Sequence, residues 1–257
     1  MTEPFRTEVG LANTERITLR GHDMVSDLVG QVSFTQGALL AVTGKMPSPG
    51  AVRVADAVLV TFIDHGLQPS ALAARLTYAV APEAVQGAVA AGLLGVGSKI
   101  LGTLEQTGRL LAAVAASVAG GMPEDEAVAQ AVDGELAAGR RIPGIGHALH
   151  RDGDPRAAPL LAVAAAEGVA TDEVRRLRAI VDATAAATGR SLPVNAAGVS
   201  ATLLAGIGVP WQLQRGFSMI SRTAGLLAHI GEEAQRPVTP AIRAQLRAMS
   251  WLSEGED

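Results

Sequence analysis

The chain has 257 residues, enough to bury a sizeable core as one domain or as a large domain carrying a smaller one. Its formal net charge of −4, with no basic stripe, argues against a nucleic-acid binder, and the absence of cysteine removes disulfides, thiolate nucleophiles and Cys-based metal sites. Hydrophobic residues make up 48% and aromatic residues only 3%, so the core is built from small aliphatic side chains, which predicts close helix packing and a large subunit interface. The apolar run LLAAVAASVAGGM (110–122) is shorter than the roughly 20 residues of a membrane helix. No charged-then-apolar signal peptide opens the sequence, so the expected setting is soluble and cytoplasmic.

Strand signals are weak along the chain, and ITLR (17–20) is the best candidate for a short strand. Within residues 51–65, Val54, Val58 and Phe62 share one helical face, away from Arg53, Asp56 and Asp64. Pro69-Ser70 restarts a helix running toward Tyr78, and Pro82 restarts another. GLLGVGSKILG (92–102) lacks the glycine spacing and the strand-loop-helix setting of a dinucleotide site, and reads as a break between small-residue helices. Pro123 stands near a helix start with three acids in the first turn; Val128, Val132 and Leu136 follow, and Gly139 is the stop. Pro143–Gly146 forces a loop. Thr171 is expected to cap a helix whose Val174, Leu177 and Val181 face inward, leaving Arg175, Arg176 and Arg178 in water. Residues 215–232 repeat the pattern with Phe217, Ile220, Ala224, Leu227 and Ile230. The sum is an almost all-α protein.

Polar chemistry concentrates in RIPGIGHALHRDGDPRAAPLL (141–161). His147 follows Gly146, whose small size lets a ligand approach, and Arg151 and Arg156 offer guanidinium forks suited to carboxylate or phosphate. Asp154-Pro155-Arg156 also reads as a turn with a local ion pair, beside a satisfied His147. Taken alone, His65 is explained by a favourable interaction with a helix end. Arg222 and His229 share one helical face with Gly225 between them. A bare stretch that admits a ligand to Arg222 and a tight helix contact explain Gly225 equally well. His150 reads as a solvated loop side chain and His22 as turn chemistry. No Ser-His-Asp spacing, Gly-x-Ser-x-Gly elbow or His-Glu-x-x-His helix is present, so no metal site is expected. Histidines and arginines spread in this way suit a polycarboxylate better than a neutral ligand.

Taken together, these segments resemble the citrate synthase superfamily, most closely its short citryl-CoA lyase branch, which is similar to the C-terminal module of ATP-citrate lyase. The resemblance rests on RGHDMVSDLVGQVSFTQGALLAVTGKMPSPG, DHGLQPSALAARLTYAVAPEAVQGAVAAGLLGVGS, GIGHALHRDGDPR and SRTAGLLAHIGEEAQRP, and runs from about residue 17 to 237. It implies an all-α, citrate synthase-like fold with a large domain (1–103 and 198–257), a small domain (104–197) and a cleft between them. It also implies an obligate homodimer. His147 and His65 would be catalytic contacts to the oxaloacetate part of the substrate, Arg156 and Arg222 would grip its carboxylates, and Arg236 would reach into the partner's site. Arg151 lies where the family contacts the CoA phosphates. A CoA thioester enters as substrate, with no covalently bound cofactor, no metal, no nucleic acid and no membrane.

Two positions depart from the family pattern. The synthases' thioester-polarising histidine is matched by Leu101, before Gly102, a change shared with the lyase branch. The aspartate of the Asn-Val-Asp motif, which works on the acetyl-CoA methyl carbon, is matched by Ala197 in Asn195-Ala196-Ala197. The nearest upstream carboxylate in sequence is Asp182. Three readings follow: a carbon–carbon lyase or condensing enzyme on citryl-CoA or a relative; a thioester hydrolase or a lyase on another 2-hydroxyacyl-CoA; or a non-catalytic accessory subunit that binds CoA or a dicarboxylate.

Overall fold

The computed structural model describes residues 7–98, 101–147, 150 and 152–249. The chain opens with an antiparallel meander of β1 (Gly10–Ala12), β2 (Ile17–Leu19) and β3 (His22–Asp23), in which the ITLR segment supplies the middle strand. Asp23 then caps a π-helical turn, Met24–Leu28, by accepting the Val25 and Ser26 N–H groups, whereas His22, expected in a turn, is paired with Leu19 in β3. The rest is helical: α1 (Phe34–Thr43), α2 (Pro49–Phe62), α3 (Pro69–Val80), α4 (Val85–Leu94), α5 (Gly102–Ala119), α6 (Glu124–Ala137), α7 (Ala157–Glu167), α8 (Thr171–Thr188), α9 (Ala196–Gly206), α10 (Trp211–Gln235) and α11 (Thr239–Ala248). No single helix among the described residues is long and apolar enough to cross a membrane.

The chain divides into two compact units, one of Met1–Thr61 with Leu101–Gly216, the other of Phe62–Ile100 with Phe217–Asp257. These boundaries are a different partition from the large and small domains that the resemblance implies. The first unit's core joins Leu110, Leu111 and Val114 of α5 to Val128 and Val132 of α6 and Ile180 of α8. α9 lies beneath them with Val199, Ala201, Leu203 and Leu204 fully buried. The second unit's core joins Ala74, Ala88, Leu226 and Ile230. A Cβ on Gly92 would stand 2.7 Å from Leu226 Cδ1, so α4 and α10 pack at the close approach that small side chains permit.

Several elements differ in detail from expectation. α2 buries Val54, Val58 and Phe62 as predicted, but ends at Phe62, so His65 stands in the following loop rather than at a helix end. α4 begins at Val85, three residues beyond Pro82. Thr171 is not a cap: Ala170, left-handed at φ 58°, occupies that position without a side-chain bond. The buried line of α8 is Leu177, Ile180 and Thr184, and Arg176 turns toward Glu124. On α10, Phe217 and Ile230 are buried, but Ala224 is exposed and Leu227 is 47% exposed. The buried face there carries Ser218, Ser221, Arg222 and Leu226 instead. Apolar spacing misplaced that face because polar side chains occupy it.

Candidate active site

In the first unit, the segment after α6 runs antiparallel to the approach into α9. Gly146 N–H donates to Pro193 O (2.7 Å), Asn195 N–H donates to Gly144 O (2.9 Å), and Ile145 bridges Val194. Asn195 joins the two strips: its Oδ1 caps α9 by accepting Gly198 N–H (2.9 Å), and its Nδ2 donates to Gly146 O (2.7 Å). Gly144 has φ +84°, and its Cα meets Gly198 so closely that a Cβ on Gly144 would stand 2.7 Å from Gly198 Cα. His147 emerges from this interlocked turn. Its Nδ1 accepts the His150 N–H at 3.0 Å, which puts the proton of the neutral ring on Nε2. The two imidazoles lie 4.7 Å apart, so His150, read from sequence as a solvated side chain, helps to set the ring that precedes it.

Asp154 is 5% exposed and fully engaged. Its Oδ1 accepts Arg156 N–H (3.1 Å) and Nε (2.9 Å), while Oδ2 accepts Arg156 Nη2 (2.9 Å) and Ala196 N–H (2.9 Å). Burial opposes the charged form, but these donors outweigh it and hold the carboxyl well below its ordinary range. The turn with a local ion pair is therefore realised, and two of Arg156's three nitrogens are committed to Asp154. Ala197 is half-buried in the first turn of α9. The carboxylate bonded to that turn is Asp154, which sequence distance concealed. Leu101, 3% exposed, precedes the first residue of α5.

Beside His147 lies a cavity of about 720 Å³, lined by Arg140, Arg141, Arg190, Ile145 and Leu192 among others. Arg140 pairs with Glu135 at 2.6 Å. Arg141 and Arg190 make no ion pair among the described residues, so this end of the cavity is cationic. Neither was given a role by sequence reasoning: Arg141 opens the quoted segment 141–161 but stands before its GIGHALHRDGDPR motif, and Arg190 lies outside the segment. Their signal was position: one arginine ends the approach to the glycine turn and the other opens the approach to α9.

In the second unit, Arg222 is 4% exposed on α10 and, among the described residues, makes no ion pair and has no partner for its buried Nε. Burial lowers its pKa, and the field of Asp64 opposes that shift. Asp64 itself bonds His229 Nε2 (2.8 Å) and Gly66 N–H (2.9 Å). Burial again works against the charge, but these bonds hold Asp64 below its ordinary value. His65 is exposed in the same loop. Gly225 is explained by packing: a Cβ there would stand 2.8 Å from the carbonyl carbon of Ile63 and closer still to its oxygen. The loop, not a ligand, occupies the bare stretch of helix.

Arg236 is exposed at the end of α10, and its carbonyl accepts Arg75 Nη2 (3.0 Å). Arg75, 2% exposed, also bonds Glu233 (2.7 Å) and Glu232 (2.7 Å). Glu233 in turn accepts the Val238 and Thr239 N–H groups. Burial raises its pKa, yet the donors prevail and lower it to about 2.

The family model described as citrate synthase, C-terminal domain, matches residues 8–245. The chain belongs to the citrate synthase family. A structure of citryl-CoA lyase from Hydrogenobacter thermophilus is 30% identical, covering 90% of this chain and 88% of that one, with a TM-score of 0.78. ATP citrate lyase from Methanothrix soehngenii, in complex with citrate and coenzyme A, is 21% identical with a TM-score of 0.74, covering 91% of this chain and 40% of that one. Citrate synthase from Thermoplasma acidophilum, in a ternary complex with carboxymethyl coenzyme A and oxaloacetate, is 19% identical with a TM-score of 0.61, covering 79% and 54%. The latter two share the fold. No curated protein matches the chain.

Within this citrate synthase-family chain, His65, Arg222 and Arg236 fall in one compact unit and His147 and Arg156 in the other. Arg151 lies outside the described residues. Among the described residues no group of three or more His, Asp or Glu side chains is placed to hold a metal ion.

Proposed function

We propose that the chain is a CoA-thioester carbon–carbon lyase or condensing enzyme, converting citryl-CoA or a relative to acetyl-CoA and oxaloacetate, or the reverse. Arg222 carries this reading. A guanidinium that is 4% exposed with no acidic partner among the described residues is costly unless an anion completes it. A substrate carboxylate supplies that anion. Arg156, with its Nη1 outside the Asp154 pairing, and Arg236, acting in trans within a homodimer, are assigned to the remaining carboxylate contacts, and His65 to the oxaloacetate part. Exposed apolar side chains, including Leu94 at 87%, Val25 at 75% and Phe34 at 74%, support a subunit interface. The cytoplasm is the proposed setting.

His147 acts on oxygen. With its proton on Nε2, the neutral ring donates to the oxaloacetate carbonyl during condensation and stabilises the alkoxide that forms. The cationic cavity beside it, with Arg141 and Arg190, is assigned to the phosphates of CoA, and Arg151 is assigned to the same phosphates on the family resemblance alone. The 30% identity of the chain to a citryl-CoA lyase supports the same substrate class.

Ala197 favours a second reading. An alanine transfers no proton to an enol carbon, and Asp154 has its oxygens occupied, so hydrolysis or binding without turnover are the alternatives. Purified protein given citryl-CoA tests all three, with oxaloacetate, acetyl-CoA and free CoA measured separately. Equal release of oxaloacetate and acetyl-CoA is expected. Free CoA with citrate would establish hydrolysis. Binding of oxaloacetate and CoA without products would establish an accessory subunit, and neither binding nor products would overturn the assignment.

A further inference from the structure

Arg222 needs an anion, yet Asp64, on the adjoining loop, does not supply it. Asp64 follows Ile63, whose backbone packs against Gly225 three residues beyond Arg222, yet among the described residues Asp64 pairs with His229 and not with Arg222. Its carboxylate is held elsewhere. Oδ1 bonds His229 Nε2 at 2.8 Å, and Oδ2 accepts Gly66 N–H at 2.9 Å. Since an ionised carboxylate only accepts, His229 donates from Nε2. His229 lies seven residues beyond Arg222, about 10 Å along the helix, and Gly225 between them admits the Ile63 backbone. The loop that carries Asp64 thus packs on α10 between the two residues, and the His229 bond holds the carboxylate toward the far end.

We infer that His229 is a positioning residue, which by holding Asp64 keeps that carboxylate from neutralising Arg222 and so keeps Arg222 open to a substrate carboxylate. The inference rests on the reading of Arg222 as a carboxylate clamp. Without the His229 bond, Asp64 turns to Arg222 and forms a buried pair that an incoming dicarboxylate has to displace. A buried pair of this kind is costly to break, so affinity for the dicarboxylate falls about 10- to 100-fold.

The test is calorimetric titration of the full chain with oxaloacetate, using His229→Phe, His229→Gln, Asp64→Asn and the double variant His229→Phe with Asp64→Asn. His229→Phe is expected to weaken binding by that factor. His229→Gln, whose amide still donates to Asp64, stays within a few-fold of wild type. The double variant returns to the affinity of Asp64→Asn, because a neutral amide does not neutralise a guanidinium. A crystal structure of His229→Phe is expected to show Asp64 paired with Arg222, a result that needs no ligand.

Unchanged affinity in His229→Phe overturns the inference while leaving the function reading standing. A double variant as weak as His229→Phe also overturns it, since the loss then comes from distortion of the loop. If His229→Phe does not fold, Asp64→Asn alone decides: binding at least as tight as wild type supports competition, and a tenfold loss refutes it. A wild-type chain that binds no dicarboxylate overturns both the function reading and the inference, and that outcome is distinct from the others.

Discussion

Gly225→Ala sets two opposing effects against each other. In an exposed helix interior, replacing glycine by alanine stabilises by about 1 kcal/mol. At residue 225 the new Cβ would stand 2.8 Å from the Ile63 carbonyl carbon and closer still to its oxygen, whereas carbon atoms pack at roughly 3.5–4.0 Å, so the loop has to retreat by more than about 1 Å. The obstructing atoms are backbone and do not rotate aside. Overpacking of this kind costs about 1–3 kcal/mol, and a rigid neighbour puts it near the top of that range. The net is about 2 kcal/mol of destabilisation, or a fall in Tm of roughly 4–8 °C for a chain of this size. Gly231→Ala on the same helix is the control, since a Cβ there meets nothing within 4 Å, and it should stabilise. Thermal unfolding of both variants, with and without oxaloacetate, checks the argument. Gly225→Ala is also expected to lose the stabilisation by oxaloacetate, because the loop that retreats carries Asp64 and His65. A rise in Tm matching that of Gly231→Ala would refute the packing assignment.

Three further outcomes follow. Glu233 is lowered from 4.5 to about 2, so its charge contributes about 3 kcal/mol above pH 4.5, and this is lost as pH falls through about 2. Glu233→Gln should be less stable at pH 7 and show a flatter decline between pH 5 and 2 in urea unfolding, and equal slopes would refute it. Arg190→Ala should weaken CoA binding about tenfold, with a smaller salt dependence, by calorimetry; an unchanged Kd removes Arg190 from the phosphate site. Ala197→Asp should raise carbon–carbon turnover by about 10²–10⁴-fold, measured as oxaloacetate formed from citryl-CoA. No gain would mean that residue 197 does not face the reacting carbon.

Much of the fold was legible because local spacing carries it. The acids and valines of α6, the aliphatic face of α2 and the ITLR strand all appear where periodicity and capping rules put them. Reading failed where a buried face is polar, as on α10, or where a backbone conformation replaces a cap, as at Ala170. The site was legible only as an inventory: His65, His147, Arg156, Arg222 and Arg236 stood out as residue types in motifs. Their partners did not, because nothing near Arg222 in sequence announces that it has no acidic partner among the described residues.

The sequence by itself determined that this is an all-α chain of the citrate synthase family, and which histidines and arginines are candidates for its chemistry. Helical period, turn residues and motif spacing act over a few residues, so they can be read in order along the chain. Only the tertiary structure decided which of those charges are spoken for. Ala196 meets Asp154 across 42 residues, and His229 meets Asp64 across 165. Such pairings depend on how helices dock, and docking is set by the shape of whole buried faces, including a glycine at 225 that yields its place to the loop beside it.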